Sequence, residues 1–203
     1  MDFMTDFTKD FTTEQINQWI LTSVSQPVLN AALAINHGER FHELFSRFPR
    51  IESKVAKDEH YVPLERQIEI MDEVSRAAGM PVKYHKIEGG FWRIDKKYPR
   101  NDILLTIIAR QWVDFEFFVV PNKNYMPAGG PLGLIYNAIR VSQGEVLDYE
   151  TGWRVPPSVW CFSEEDFYQA TQESFALLVE MQAHITEGCT EGFRAKTVKA
   201  TKP

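Results

Sequence analysis

The sequence predicts an α+β protein in which an antiparallel meander of about four strands is covered by N-terminal helices and a long C-terminal helix. Three observations favour this class. Apolar side chains recur at helical spacing through residues 12–80, change to a period of two through residues 82–121, and return to helical spacing in residues 163–188. Helices and strands that are segregated along a chain are typical of α+β proteins rather than of parallel α/β folds.

The first eighty residues carry successive helix signals. Thr12 begins a capping-box pattern ahead of apolar residues at helical spacing. Pro27 suits the first turn of a second helix, and Gly38 is expected to interrupt the helices that follow. Pro63 opens a further helix, and Gly79 has the position of a residue just past its end.

The next segment has the pattern of an antiparallel sheet. Strands are predicted over residues 82–87 and 91–97, with a hairpin turn at Gly89-Gly90 between them. The most apolar stretch, residues 103–121, would span roughly 60 Å as a single strand, which is far beyond the usual length. We therefore expect it to break near Arg110-Gln111 into two strands, most simply a hairpin, although a bend would satisfy the same pattern.

The last predicted strand alternates between apolar and acidic side chains. Its apolar residues point to one face: Val113, Phe115, Phe117 and Val119. Asp114 and Glu116 point to the opposite face, about 7 Å apart by strand geometry. Carboxylate pairs at such separations occur in glycosidases. Acids that alternate against a buried face are nevertheless more simply interpreted as solvent-facing.

The second half of the chain is predicted to return to helices. Residues 122–133 form a loop, and Pro131 can begin a helix that runs to Gly144. Residues 145–161 are predicted to cross the sheet as an irregular segment or a short strand. Ser163 caps the final helix, which is expected to run for about 25 residues at roughly 1.5 Å per residue.

Composition is compatible with one domain over residues 1–192, followed by a basic, disordered tail at 193–203. The predicted parts of this domain are a helical part (12–80), a sheet part (82–121) and a loop–helix part (122–188). Hydrophobic residues make up 44% of the chain, which is enough for a sizeable core. No apolar run reaches the length of a membrane span, and no signal peptide is visible. The protein is therefore expected to be cytoplasmic.

Two cysteines are too few for a disulfide framework. Cys161 and Cys189 are predicted to lie at opposite ends of the final helix. A disulfide needs Cα atoms within about 7 Å, so these two are not expected to pair in one chain. Cys161 precedes a helix N-terminus, which favours a thiolate, but the neighbouring acids oppose one and its aromatic flanks favour a core position.

The negative charge is concentrated in one third of the chain. The net charge is −6, but residues 145–187 hold nine acids against one base, which gives −8 for this segment alone. Such a patch favours a basic partner and disfavours nucleic acid, although a solvated helix face has the same pattern. Aromatic residues beside charge suit an interface. The predicted partner-binding residues are Asp148, Tyr149, Glu150, Trp153, Trp160, Glu164, Glu165 and Asp166.

Two further patterns have more than one interpretation. Phe3, Phe7 and Phe11 recur every four residues, which is consistent with a helical stripe docked on the core, a free tail or a short partner-binding motif. The early strands are rich in lysine and arginine interleaved with aromatic residues. Basic residues on an edge strand prevent sheet-to-sheet association, and this role is sufficient for them. A stacking platform for nucleic acid is the alternative.

Catalytic and metal-binding patterns are missing from the sequence. The five histidines lack metal-site spacing, and no CxxC or GxSxG motif is present. The segment Gly129–Gly133 lacks the lysine and hydroxyl residue of a nucleotide-binding loop, so we interpret it as a tight connection before a helix. We therefore predict no catalytic residue, no metal and no cofactor.

In order and composition, the second half of the chain resembles small bacterial immunity proteins. The segments that carry the resemblance are VDFEFFVVP, AGGPLG, TGWRVPPSVW and SEEDFYQATQESFALLVEMQ. These proteins are cytoplasmic α+β proteins that neutralise polymorphic toxins delivered between competing cells. The resemblance implies high-affinity occlusion of a toxin, without catalysis or cofactor. It also implies that an acidic surface meets a basic nuclease or pore-forming toxin.

The leading hypothesis is therefore a non-enzymatic, immunity-like or antitoxin-like inhibitor. One alternative is a small hydrolase or ligand-binding enzyme with a pocket near residues 122–133. A cleft converging on His85, Asp114 or Glu116 would favour that alternative. A further alternative is a homodimeric scaffold that uses an exposed strand edge, or the face formed by the N-terminal phenylalanines, as its interface.

Overall fold

The structure is a computed structural model that describes residues 11–51, 62–87, 89–110, 112–148 and 157–196. Over these residues the elements confirm the predicted α+β class. The helices are α1 (Thr13–Ser23), α2 (Gln26–Ala34), α3 (His37–Arg47), α4 (Leu64–Ala77), α5 (Leu132–Ser142) and α6 (Glu164–Ala183). The strands are β1 (Val82–His85), β2 (Phe91–Ile94), β3 (Ile103–Ala109), β4 (Trp112–Val119), β5 (Ala128–Pro131) and β6 (Val159–Trp160).

The strands form one antiparallel sheet in the order β1-β2-β3-β4-β5, with β6 paired to the start of β4. The predicted break near Arg110 is confirmed, because Ala109 pairs with Val113 across a hairpin. The meander of β1 to β4 is the one that the sequence predicts. Strand β5 was not expected, because its sequence of alanine, two glycines and proline has low β-propensity.

The helices pack against one face of the sheet, which we call the inner face. Its buried residues include Trp92, Ile103, Leu105, Ile107, Val113, Phe115, Phe117 and Val119. Phe115 on β4 meets Phe175 on α6 edge to face, with ring centroids 5.4 Å apart. The opposite, outer face contributes no residue to this core, and Leu104 on that face is 48% exposed.

Several helix boundaries differ from the predicted ones. Gly38 lies inside α3, and the break comes earlier, at Asn36, which adopts a left-handed φ of 55°. A glycine is useful inside this helix because α3 crosses α5 closely. A Cβ added to Gly38 would lie 3.3 Å from Ile139. Helix α6 has 20 residues rather than about 25, because the chain turns at His184.

The caps of α6 and α2 give a testable contrast. Ser163 Oγ accepts a hydrogen bond from the Asp166 N–H at 3.0 Å, whereas Ser25 caps α2 without a side-chain hydrogen bond and its Oγ is buried and unpartnered. We expect Ser163→Ala to lower the free energy of unfolding by about 1 kcal/mol. Ser25→Ala, the matched control, is expected to cause no loss, because it removes a buried hydroxyl that has no hydrogen-bond partner among the described residues. Urea unfolding of both variants measures the difference, and equal losses would contradict it.

The loop between β2 and β3 holds the C-terminal end of α6. Arg100 pairs with both oxygens of Asp102, and it also donates to the carbonyl oxygens of Gln182 and Ile185 at 2.8 and 2.7 Å. Asp102 accepts the Gly188 N–H at 3.3 Å. Although burial opposes ionisation of Asp102, these partners keep the pKa of its carboxyl below the ordinary value. Arg100 therefore donates hydrogen bonds to carbonyl groups that a helix end would leave without partners.

The cysteines and the C-terminal segment agree only partly with the predictions. Cys161 and Cys189 are free thiols, as predicted. The tail was predicted to be disordered from residue 193, yet Phe193 is buried and Ala195 pairs with Tyr125. Residues 197–203 and the N-terminal segment with Phe3 and Phe7 lie outside the described residues. In the described part of the chain, no helix is long and apolar enough to cross a membrane.

Candidate binding surface

Three aromatic side chains contact one another at one end of the sheet. Strand β6 pairs with the start of β4, which places Trp160 beside Trp112 with ring centroids 5.3 Å apart. Phe162 stacks on Trp160 at 6.3 Å with nearly parallel rings. All three are half-buried. We call Trp112, Trp160 and Phe162 the aromatic corner.

Two contacts with the segment after α3 hold Trp160 in place. Its backbone N–H donates to the Phe48 carbonyl oxygen at 3.0 Å, and the Arg50 guanidinium lies over its ring at 5.3 Å. A fixed aromatic ring loses little conformational entropy when it is covered by a partner. The corner therefore offers preorganised apolar surface at the edge of the sheet.

The chain continues from the corner directly into the acidic first turn of α6. Glu164 pairs with Arg66 of α4, so much of its charge is neutralised within the chain. Asp166 accepts the Phe162 N–H at 3.1 Å and helps to fix the turn. Glu165 is exposed and accepts a hydrogen bond from Gln169 at 3.3 Å. These three residues (Glu164, Glu165 and Asp166), which we call the acidic turn, place the exposed Glu165 carboxylate, which forms no ion pair with the described residues, close to the corner in sequence.

The structure brings some of the predicted partner-binding residues together. Trp160 and the acidic turn lie at one end of the molecule. Asp148 is exposed at the end of the segment after α5, whereas Tyr149, Glu150 and Trp153 lie outside the described residues. Trp112 was missed by sequence reasoning. The alternation of β4 does place it on the outer face, but only the pairing of β4 with β6 brings it to Trp160.

The outer face of the sheet carries opposite charges on its two sides. The strand registers align Arg93 of β2, Thr106 of β3 and Glu116 of β4 in one row across this face. Asp114 lies in the adjacent row, opposite Ile108. The basic side is therefore β1 and β2, the acidic side is β4, and β3 between them is largely apolar.

Asp114 and Glu116 have no counter-ion among the residues that the structure describes. In the described part of the chain, neither carboxylate forms an ion pair or accepts a hydrogen bond. Burial, followed by repulsion from Glu116, raises the pKa of Asp114 to about 6, and burial also raises the pKa of Glu116. With its pKa at about 6, Asp114 is still largely ionised near neutral pH. Two half-buried carboxyl groups are therefore held side by side without a compensating partner among the described residues.

A groove exists near the predicted 122–133 loop. It has a volume of about 440 Å³ and lies between α1 and the residues of β5, with Phe118 and Met126 in its wall. The only ionisable residue lining it in the described part of the chain is Arg194. His85 and Asp114 do not meet there or elsewhere, because three strand spacings of about 4.8 Å put them roughly 14 Å apart on the sheet. The described lining of the groove thus lacks an acid–base pair.

The other candidate groups for chemistry are buried. Burial, followed by the charge of Asp166, raises the pKa of the Cys161 thiol, which disfavours a reactive thiolate. His37 on α3 is fully buried, and neither ring nitrogen has a hydrogen-bond partner among the described residues. Burial and then the Arg40 charge lower the pKa of His37 to about 3, so it is neutral. No group of three potential metal ligands occurs in the described ranges.

Gly129 and Gly130 lie in β5 rather than in a phosphate-binding loop. They pair with Phe118 and Phe117 of β4, and Pro131 leads directly into α5.

Comparisons with known proteins give no assignment: no protein-family model matches the chain, and no curated protein or solved structure matches it significantly. Function is therefore inferred from the geometry of the surfaces.

Proposed function

We propose that the protein is a non-enzymatic, immunity-like inhibitor that binds a basic protein surface in the cytoplasm. The aromatic corner and the acidic turn form the binding surface. The observation that carries this proposal is the pair of half-buried tryptophans, Trp112 and Trp160, in contact at a ring-centroid distance of 5.3 Å beside the acidic N-terminus of α6. The resemblance of the second half of the chain to immunity proteins points to the same class.

The aromatic corner supplies the kind of anchor on which protein interfaces depend. Tryptophan is enriched among the residues that dominate binding energy, particularly in well-packed positions. Trp160 is already held by its backbone hydrogen bond to Phe48 and by Arg50 over its ring. Covering such a ring removes apolar area from water without ordering a flexible side chain.

The acidic turn supplies charge complementarity. Glu165 is exposed. Glu164 remains about half exposed although it forms a surface ion pair with Arg66. Surface acids of this kind contribute mainly to the rate of association and to partner choice. Association with a basic partner should therefore slow as the salt concentration rises.

A second candidate function is the binding of a small apolar ligand in the groove beside β5. The groove of about 440 Å³ favours it, because volumes of this size accommodate small molecules. Its lining favours binding over catalysis, since Arg194 is the single ionisable residue that lines it in the described part of the chain. Strands β5 and β6 both pair with the edge of β4 that faces away from β3, so this candidate places the functional surface at the other end of that edge from the aromatic corner.

The deciding experiment is affinity purification of the tagged protein from its own cells, followed by mass spectrometry. We expect one stoichiometric partner with a basic surface. Trp160→Ala and Glu165→Lys should each lose that partner by at least tenfold in affinity, because each removes one component of the surface. Glu187→Lys is the matched control, since it reverses an exposed acid beyond the other end of α6.

The same preparation distinguishes the alternatives. If the partner is retained by both surface variants, the aromatic corner is not the binding surface. If no partner co-purifies but native mass spectrometry shows a bound small molecule, the ligand-binding candidate takes precedence. Circular dichroism of each variant confirms that a loss of binding does not reflect unfolding.

A further inference from the structure

The outer face of the sheet is complementary to itself. Its central strand β3 presents Leu104, Thr106 and Ile108, and Leu104 is 48% exposed. One neighbouring strand, β2, presents the exposed Arg93, and the other, β4, presents Glu116. Apolar surface is thus flanked by a cation on one side and an anion on the other.

The register places the two charges at the same level along the strands. Arg93 pairs with Thr106, and Thr106 pairs with Glu116, so the three Cα atoms lie in one row. Adjacent strands are about 4.8 Å apart, and the two charged residues are therefore roughly 10 Å apart and equidistant from β3. A rotation by 180° about an axis parallel to β3 exchanges the positions of β2 and β4. It leaves each residue at the same position along the strand direction.

We propose that two copies of the chain associate face to face through this outer face, about a two-fold axis parallel to β3. In this arrangement Arg93 of each copy lies opposite Glu116 of the other. Thr106 faces its own counterpart on the axis, and so do Leu104 and Ile108. Sheets that pack face to face lie about 10 Å apart with their strands nearly aligned, which permits these contacts.

The charges on this face are available for such contacts. In the described part of the chain, Arg93 has a cation–π contact with Phe91, at 4.7 Å, but no ion pair. Glu116 and its neighbour Asp114 have no partner there either. A second copy would supply a cation to each acidic side and an acid to each basic side. The isologous arrangement satisfies both at once, because residue i contacts residue j and j contacts i.

The expected dimer is a weak one. The described part of the face spans about five strands and three rows of outward residues, or roughly 20 Å by 20 Å. This footprint of roughly 400 Å² is smaller than the ~800 Å² that each partner buries in a standard interface. We therefore expect a weak monomer–dimer equilibrium, which sedimentation over a concentration series can resolve.

This inference is independent of the proposed function. The dimer contacts centre on β3, whereas the aromatic corner lies at the end of β4 and on β6. Failure of the dimer test would leave the partner-binding surface untouched, and loss of a partner through Trp160→Ala would leave the dimer untouched. Trp112 lies on the same outer face, one outward position beyond Asp114 along β4, and outside the Arg93–Glu116 row that carries the dimer contacts.

Charge reversal tests the proposal with the purified protein alone. Analytical ultracentrifugation should show a dimer for the unmodified chain. Arg93→Glu and Glu116→Arg should each weaken it at least tenfold, because each places like charges opposite one another at two symmetric positions. Glu187→Arg, which reverses an exposed acid away from the sheet face, should leave the dimer unchanged.

Mixing the two single variants gives the decisive readout. When Arg93→Glu is combined with Glu116→Arg, both contacts of the mixed dimer join opposite charges, so dimerisation should return. Restoration in the mixture also shows that neither variant is misfolded. A monomeric unmodified chain, a dimer that is insensitive to both reversals, or a mixture that stays monomeric would each overturn the proposal.

Discussion

Replacement of His37 with leucine is expected to raise the free energy of unfolding and to reduce its sensitivity to acid. His37 is fully buried on α3, stacked on Phe41 at 5.4 Å, and its ring nitrogens are without hydrogen-bond partners in the described part of the chain. A buried polar group without partners destabilises the folded state by about 1–3 kcal/mol relative to an apolar group that fits the site. Leucine has a similar volume and no polar atoms.

The pH dependence has a defined sign. The pKa of His37 falls from 6.5 to about 3 on folding. Between these values the unfolded chain binds a proton that the folded chain does not, so acidification favours unfolding. Near pH 5 this linkage removes about 2 kcal/mol of stability, and the loss continues towards pH 3. Asp114, whose pKa is raised on folding, acts in the opposite sense below about pH 6.

Urea unfolding at several pH values measures this effect as the difference between His37→Leu and the unmodified chain. The difference cancels the contribution of Asp114, which is common to both proteins. We expect the advantage of the variant to grow by about 2 kcal/mol between pH 7.5 and pH 5. His184→Leu is the control, since it removes an exposed histidine at the end of α6. A constant difference across this range would mean that His37 is hydrated or paired.

Replacement of Gly129 with alanine is expected to have the largest effect on β5. Gly129 has a φ of +129°, which side-chain-bearing residues rarely adopt, and an added Cβ would clash with the carbonyl oxygen of Phe117. Backbone strain and a clash with a neighbouring strand both act here, so we expect a loss of about 3 kcal/mol or more in the free energy of unfolding. The pairing of β4 with β5 should be lost first.

Gly144→Ala separates the effect of backbone strain from the effect of the clash with a neighbouring strand. Gly144 also has a positive φ, of +94°, but an added Cβ would meet nothing within 4 Å. This control should lose only the conformational part, about 1–2 kcal/mol. Thermal unfolding gives the difference in stability, and hydrogen exchange of the β4 amides reports the loss of pairing. Equal destabilisation of the two variants would show that β5 tolerates the clash by moving.

The elements that sequence reasoning located are those whose signals are local. The cap of α1 at Thr12 forms the predicted box with Gln15, and the acidic turn of α6 follows the predicted cap at Ser163. The alternation along β4 gave its buried face without any knowledge of its neighbours. In each case a few adjacent residues determine the outcome through helix capping or the period of side-chain direction.

The features that sequence reasoning missed depend on which strands become neighbours. Strand β5 forms because glycines let its backbone approach Phe117, and no β-propensity signals that contact. Trp112 and Trp160 are 48 positions apart, and only the β4–β6 pairing joins them. The opposition of Arg93 and Glu116 likewise requires the strand order. Candidate residues were therefore predictable in part, but their assembly into surfaces was not.

Helix α6 lies against the sheet although it is made long after the sheet during synthesis. Phe175 of this helix covers Phe115 of β4. Two hydrogen-bond acceptors of Arg100, the carbonyl oxygens of Gln182 and Ile185, also lie at the end of this helix. At about 5–20 residues per second, the ribosome needs roughly 3–13 seconds to extend the chain from the end of β4 to the end of α6. During that interval the apolar surface that α6 covers in the folded protein, including Phe115, is without its partner helix.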